Sequence, residues 1–92
     1  MIDNFLGNTM LLEWPVTVEG VDDISTLDLT LYIVCNRFKK ELEFTVTDNT
    51  LSFTFEGKDQ RVAGLYNLEL WVNEGENNQM IAVQKDAIRL YR

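Results

Sequence analysis

Histidine is absent from this 92-residue chain, cysteine and proline occur once each, and glycine only five times. Without histidine there is no Ser-His-Asp or Cys-His nucleophile and no imidazole metal ligand. The chain is therefore expected to be non-catalytic, with no cofactor and no metal. A single cysteine, Cys35, allows no intrachain disulfide and fits a reducing compartment. It closes an alternating apolar row, so it reads as a small buried hydrophobe. A reactive thiol needs a nearby base or helix N-terminus, and the flanking residues offer neither. The low Gly and Pro content excludes collagen-like and low-complexity classes. No run of 18 apolar residues is available for a membrane-spanning helix. Met1-Ile2-Asp3-Asn4 lacks the basic start and apolar run of a secretory signal, so synthesis in the cytoplasm is expected. Helical periodicity is missing as well, with at most one turn at Gly57–Arg61.

Basic residues are scarce: eight against fifteen acids, a net charge of −7. Residues 1–36 hold six acids and no base. Phosphate backbones and anionic lipid surfaces repel such a chain, which argues against nucleic-acid and membrane partners. The basic knot Arg37-Phe38-Lys39-Lys40 is offset at once by Glu41 and Glu43 and reads as a polar loop. Glu19, Asp22, Asp23 and Asp28 crowd one stretch. Their spacing does not match a calcium-binding loop, and a solubilising loop is the expectation.

What is present is period-two alternation, the mark of half-buried strands. Met10, Leu12, Trp14, Val16 and Val18 form one row, and Pro15 makes that strand an edge. Leu27, Leu29, Leu31, Ile33 and Cys35 form a second row. Leu42, Phe44 and Val46, then Leu51, Phe53 and Phe55, form a hairpin about Asp48-Asn49, whose short side chains tolerate positive φ. Tyr66, Leu68, Leu70 and Val72 form the next row, followed by a strong turn signal over Asn73–Asn78. The parity of 79–91 is broken, and a bulge near Lys85-Asp86 would reconcile it. Strands are expected near 9–18, 27–35, 42–47, 50–56, 64–73 and 79–91. They make an all-β, antiparallel sandwich of six to seven strands. Residues 1–8 are a lead-in and 9–92 the single domain. Leu31, Phe44, Phe53 and Leu68 are expected to be almost fully buried.

Aromatic residues on the opposite faces are the candidates for contact. Trp71 points away from the Tyr66 row, and Tyr32 with Val34 points away from the Leu31 row. Tyr91 on the last strand is expected to join them. They mark either a contact surface or a second small core under a terminal segment such as Phe5-Leu6.

Ala63-Gly64-Leu65-Tyr66-Asn67-Leu68 resembles the turn-into-strand signature of immunoglobulin-like domains. There a Gly-x-Tyr enters the strand and a core residue follows two positions after the tyrosine. The resemblance places Gly64 at the turn and Leu68 where antibody domains have a cysteine. It implies that the Tyr66 hydroxyl reaches a nearby backbone group, a tyrosine corner. A broader likeness covers about residues 7–92. Its landmarks are the Leu-x-Trp-x-Val strand, Asp28-Leu29-Thr30-Leu31-Tyr32, Phe53-Thr54-Phe55-Glu56-Gly57-Lys58-Asp59-Gln60, Gly64–Leu68 and Asn73-Glu74-Gly75. In this the chain resembles small immunoglobulin-like domains of phage and prophage tail and baseplate proteins of gut bacteria, including the N-terminal domain of baseplate upper proteins. That likeness implies a structural adaptor, incorporated into a virion, whose partners are other copies or neighbouring tail proteins, with weak homo-oligomers. The sequence ends at Arg92 without a fibre segment, implying a shortened chain or a stand-alone subunit. A carbohydrate-binding sandwich, with Trp71 and Tyr32 stacking on sugar rings, is the alternative.

Overall fold

The alternating rows become eight strands in a computed structural model that describes residues 1–74 and 77–92. They are β1 (Ile2–Phe5), β2 (Met10–Pro15), β3 (Leu29–Cys35), β4 (Phe38–Leu42), β5 (Phe44–Thr47), β6 (Thr50–Phe55), β7 (Gly64–Glu74) and β8 (Asn77–Tyr91). Two short 3-10 turns, Ile24–Thr26 and Gly57–Asp59, complete the described elements. The strands form two sheets, one ordered β1-β8-β7-β3-β4 and the other β2-β6-β5. All neighbours are antiparallel except β1, which runs parallel to β8. The protein is thus all-β with two sheets. Among the described residues, no helix is long and apolar enough to cross a membrane.

The core lies between the sheets because each strand turns one side-chain row inward. The three-stranded sheet contributes Met10, Leu12 and Trp14 from β2 and Leu51, Phe53 and Phe55 from β6. The five-stranded sheet contributes Leu31, Ile33 and Cys35 from β3, Tyr66, Leu68 and Leu70 from β7, and Ile88 and Leu90 from β8. Pro15 ends β2 at the edge of its sheet, where its missing N–H leaves no ladder bond open. Asp48 (φ 50°) and Asn49 (φ 60°) make the two-residue turn between Thr47 and Thr50. Asn49 also stitches the neighbouring loop. Its side-chain amide donates to the Asp22 carbonyl at 2.8 Å, and its Oδ1 accepts from the Ile24 N–H at 2.9 Å.

Four features differ from the sequence expectation. Phe44 is only half-buried, because it starts the four-residue edge strand β5 just after the chain crosses between sheets at Glu43. The expected strand 42–47 is therefore two pieces, β4 in one sheet and β5 in the other. Phe38–Lys40, read as loop, belongs to β4. Only Asn36 (φ 53°) and Arg37 form the turn, and the Phe38 ring meets Tyr66 edge-on at 6.0 Å. Lastly, Ile2–Phe5 in the expected lead-in is a sheet strand, and the Leu6 N–H continues its pairing by donating to the Tyr91 carbonyl at 2.6 Å. The turn signal at Asn73–Asn78 has its centre, Gly75 and Glu76, outside the described residues.

β8 contains the expected break. Pairing jumps from Leu68–Gln84 to Tyr66–Ile88, so Lys85, Asp86 and Ala87 all oppose Asn67. Asp86 has φ 53°, and its N–H donates to Asn67 Oδ1 at 2.8 Å. A second irregularity bulges Ile81 between the Leu70–Ala82 and Trp71–Met80 pairs.

Tyr66 is fully buried and its hydroxyl donates to the Val62 carbonyl, closing the corner that leads into β7. Burial pushes its pKa up. Gly64 stands at φ 139°, a backbone conformation that favours glycine, and a Cβ there would also press on Cys35 Sγ at 3.3 Å. Tyr66→Phe keeps the ring packed and strands the Val62 carbonyl. It is expected to cost about 0.5–1.5 kcal/mol in urea denaturation. No change would show that water satisfies Val62 equally well.

Candidate interaction surface

Two sheet faces look outward, and their chemistry differs. The outer face of the three-stranded sheet carries Glu13, Thr45, Thr47, Ser52 and Thr54, with Leu11 as a lone exposed apolar residue. A broad concavity of about 780 Å³ on that side is lined by polar and charged residues such as Glu43, Thr45, Ser52 and Thr54. Such a face needs no partner.

The outer face of the five-stranded sheet does not follow that rule. Residues paired across strands share a face, so Thr30, Tyr32 and Val34 stand beside Trp71, Glu69 and Asn67. Lys39 and Glu41 of β4 lie beside Val34 and Tyr32. Met80 and Val83 of β8 lie beside Trp71 and Glu69, and Arg89 lies beside Leu65. Asp3 and Phe5 of β1 follow Arg89 and Tyr91. Leu65, Met80, Val83 and Tyr91 are each about two-fifths exposed, and Phe5 is 61% exposed. An apolar series therefore runs the length of one face while the opposite face is polar.

At the centre of this face Tyr32 and Trp71 come together through a lysine. Lys39 Nζ lies 4.3 Å from the Tyr32 ring centroid and 5.3 Å from that of Trp71. The same ammonium is 4.0 Å from Glu69 Oε1, to which the Trp71 indole N–H donates at 3.1 Å. Asn73 donates to Thr30 Oγ1 at 2.8 Å and flanks the group. The cation over two rings draws the aromatic pair into one half-buried platform.

Tyr91 does not join that platform. Its neighbour Leu90 pairs with Gly64, seven positions from Trp71, which is roughly 23 Å at a strand's rise. Tyr91 forms its own group at the far end, with the Phe5 ring at 6.3 Å and the Arg89 guanidinium at 5.8 Å. Phe5 therefore packs beside Tyr91 instead of covering Trp71, while Leu6 packs against the core. The named contact residues share a face, but Tyr32 and Trp71 lie towards its centre and Tyr91 at one end. Leu65 and Val83 between them, and Lys39 as the linking cation, were missed from sequence. Leu65 and Val83 are ordinary strand residues by composition, and Lys39 sat in a stretch read as loop.

The remaining candidates have structural uses. Tyr66, Gly64, Leu68 and Phe53 surround the core and corner described above, and Phe44 borders it. Asp23 caps the 3-10 turn, accepting from the Ser25 N–H at 3.0 Å and hydroxyl at 2.7 Å, and these bonds lower its pKa. Burial raises the pKa of the Cys35 thiol, which disfavours the reactive thiolate.

No family model, no curated protein and no solved structure matches this chain. The reading of its function therefore rests on the surface itself and on the sequence resemblance.

Proposed function

We propose that this chain is a non-catalytic structural and interaction module that docks to protein through the outer face of β1-β8-β7-β3-β4. The observation that carries the reading is the contrast between the two outer faces: one polar, the other bearing Phe5, Leu65, Trp71, Met80, Val83 and Tyr91. Apolar residues gathered on one side of a small domain mark contact sites, and aromatic anchors dominate contact energy. The absence of histidine supports the non-catalytic part.

The sandwich is read as immunoglobulin-like. Support comes from the repeated crossing between sheets, from the β2-β6-β5 and β7-β3 neighbourhoods, and from the Tyr66 corner before β7. The setting in a phage or prophage tail or baseplate, and incorporation into a virion, are proposed on the sequence resemblance alone. In that setting the domain is an adaptor whose rigid sheet presents one face to a neighbouring subunit. The sugar-binding alternative requires aromatic rings with open faces. Lys39 stands over both Tyr32 and Trp71, which favours protein docking.

Trp71→Ala is expected to weaken the contact by about 2 kcal/mol or more. Fold stability should change less than the contact does, because the indole is only partly buried and lies outside the core. Photo-crosslinking residues placed at Leu65 and Met80, with Thr54 on the opposite sheet as control, test the reading in source cells. Protein adducts concentrated at the first two sites are expected. Equal or absent adducts would overturn it, and glycan-array binding lost in Trp71→Ala would replace it with the sugar reading.

A further inference from the structure

We infer that the occupant of this face is a second copy of the chain, packed face to face with its strands antiparallel to the first. The inference rests on the docking-face reading and adds the partner and its orientation.

The first ground is charge. At one end of the molecule lie the loop 16–28, the Asp48-Asn49 turn and the end of β7, tied together by Asn49 and by the Asn73 N–H to Asp28 carbonyl bond of 2.8 Å. That end carries Glu19, Asp22, Asp23, Asp28, Asp48 and Glu74, and its segments contain no lysine or arginine. The bases gather at the opposite end: Arg37 in the β3–β4 turn, Lys58 and Arg61 before β7, and Arg89 and Arg92. Of the acids at this end, Glu56 and Asp59 are engaged by Lys58 and Lys40, and Asp3 stands beside Arg89, which leaves the bases in excess. Two copies stacked with parallel strands would set acid on acid. Antiparallel stacking sets each basic end over an acidic one.

The second ground is register. Tyr32 pairs with Glu69, and Glu69 with Val83, at mid-height on the face. A two-fold axis lying in the interface and running across the strands through that level lays β3 over β3 with its direction reversed. Asp28 stands four positions before Tyr32 and Arg37 five positions after it. Each Arg37 therefore comes to the level of Asp28 in the other copy, on both sides of the axis. Val83, Tyr32, Glu69 and, at the β4 edge, Glu41 each meet their own equivalent at the axis, and Lys39, 4.0 Å from Glu69 Oε1, offsets the central glutamates. Both Asp28 and Arg37 are exposed.

The third ground is area. The five strands, 4, 15, 11, 7 and 5 residues long, cover roughly 650 Å² at about 3.3 Å rise and 4.8 Å spacing, a little under the share of about 800 Å² that each partner buries in a standard interface. The symmetry closes on itself, so the contact yields a dimer and no fibre. The net charge of −7 on each copy acts over distances that physiological salt screens, within about 8 Å. The end contacts lie inside that range.

Charge exchange tests the geometry. By sedimentation equilibrium the wild type is expected to dimerise. Arg37→Glu alone and Asp28→Lys alone should each raise the dissociation constant about tenfold or more, with melting curves that match wild type at concentrations where all three are monomeric. Mixed together they should form a heterodimer within a few-fold of wild-type affinity, since both end contacts are again of opposite sign. A wild type that stays monomeric at millimolar concentration would overturn the second-copy inference and leave the face to a foreign partner. A dimer indifferent to Val83→Glu and Trp71→Ala would use another surface and overturn the second-copy inference, while the docking-face reading stands or falls separately on the crosslinking at Leu65 and Met80. A mixture no tighter than the single variants would overturn the antiparallel orientation.

Discussion

Phe53→Ala is expected to bring the protein close to unfolding. β6 is the middle strand of the three-stranded sheet, so Phe53 pairs with Leu12 on one side and Phe44 on the other. It is 5% exposed and faces across the core toward Leu68. Truncating a core phenylalanine removes its transfer energy and leaves a cavity, together about 3–5 kcal/mol. Collapse cannot easily fill that space, because the neighbours are held by ladder bonds on both sides. An opening of about 220 Å³ at the seam between β1 and β2 already reaches Phe53, Leu12 and Trp14. Removing the ring would join that opening to the core and admit water. A domain of this size has about 5–10 kcal/mol in total, on the order of 0.1 kcal/mol per residue. At about 4–8 °C per kcal/mol the midpoint should fall by roughly 15–30 °C. A near-wild-type melting curve would show that this side chain is not part of the core.

The part of the fold that alternates cleanly was legible in sequence. β2, β3, β6 and β7 each carry an apolar row bounded by polar turns, and the Asp48-Asn49 pair announces its hairpin. The missing parts lack that local signal. β1 has only Ile2-Asp3-Asn4-Phe5, and its position is set by parallel pairing with β8, more than 80 residues away in sequence. In β4 the inward row is Phe38, Lys40 and Leu42, and the lysine in that row hides the alternation. Lys40 can occupy an inward position because β4 is an edge strand, which lets its ammonium reach Asp59 at 3.9 Å. The candidate surface was legible only in part. Parity alone puts Tyr32 and Trp71 on outward rows. That the rows adjoin, that Lys39 bridges them and that Tyr91 lies at the other end follow from strand order, which parity does not contain.

Gly57→Ala is expected to destabilise the protein by about 3 kcal/mol, at the upper end of what overpacking costs. A Cβ at this position would fall 1.8 Å from the Gly7 carbonyl oxygen and 2.5 Å from its carbonyl carbon. Both atoms are backbone, so no rotamer change relieves the clash. Segment 6–9 carries the chain from β1 in one sheet to β2 in the other, and it is clamped where it would have to move. The Gly57 N–H donates to Thr9 Oγ1 at 3.0 Å. The side chain of Gln60, the one buried polar residue among those described, accepts from the Gly7 N–H and donates to the Asn8 carbonyl, each at 2.7 Å. Shifting the segment breaks these bonds, and stranding the buried Gln60 amide adds its desolvation. It also pulls on the Leu6 N–H to Tyr91 carbonyl bond, and so on the docking of β1 against β8. The loss should therefore appear in two measurements. The melting midpoint should drop by about 15 °C, and amide exchange should accelerate first at residues 2–7. Fast exchange there with an unchanged midpoint would mean that β1 peels away without loosening the two sheets. An unchanged midpoint and unchanged exchange would show that Gly7 and Gly57 are not in backbone contact.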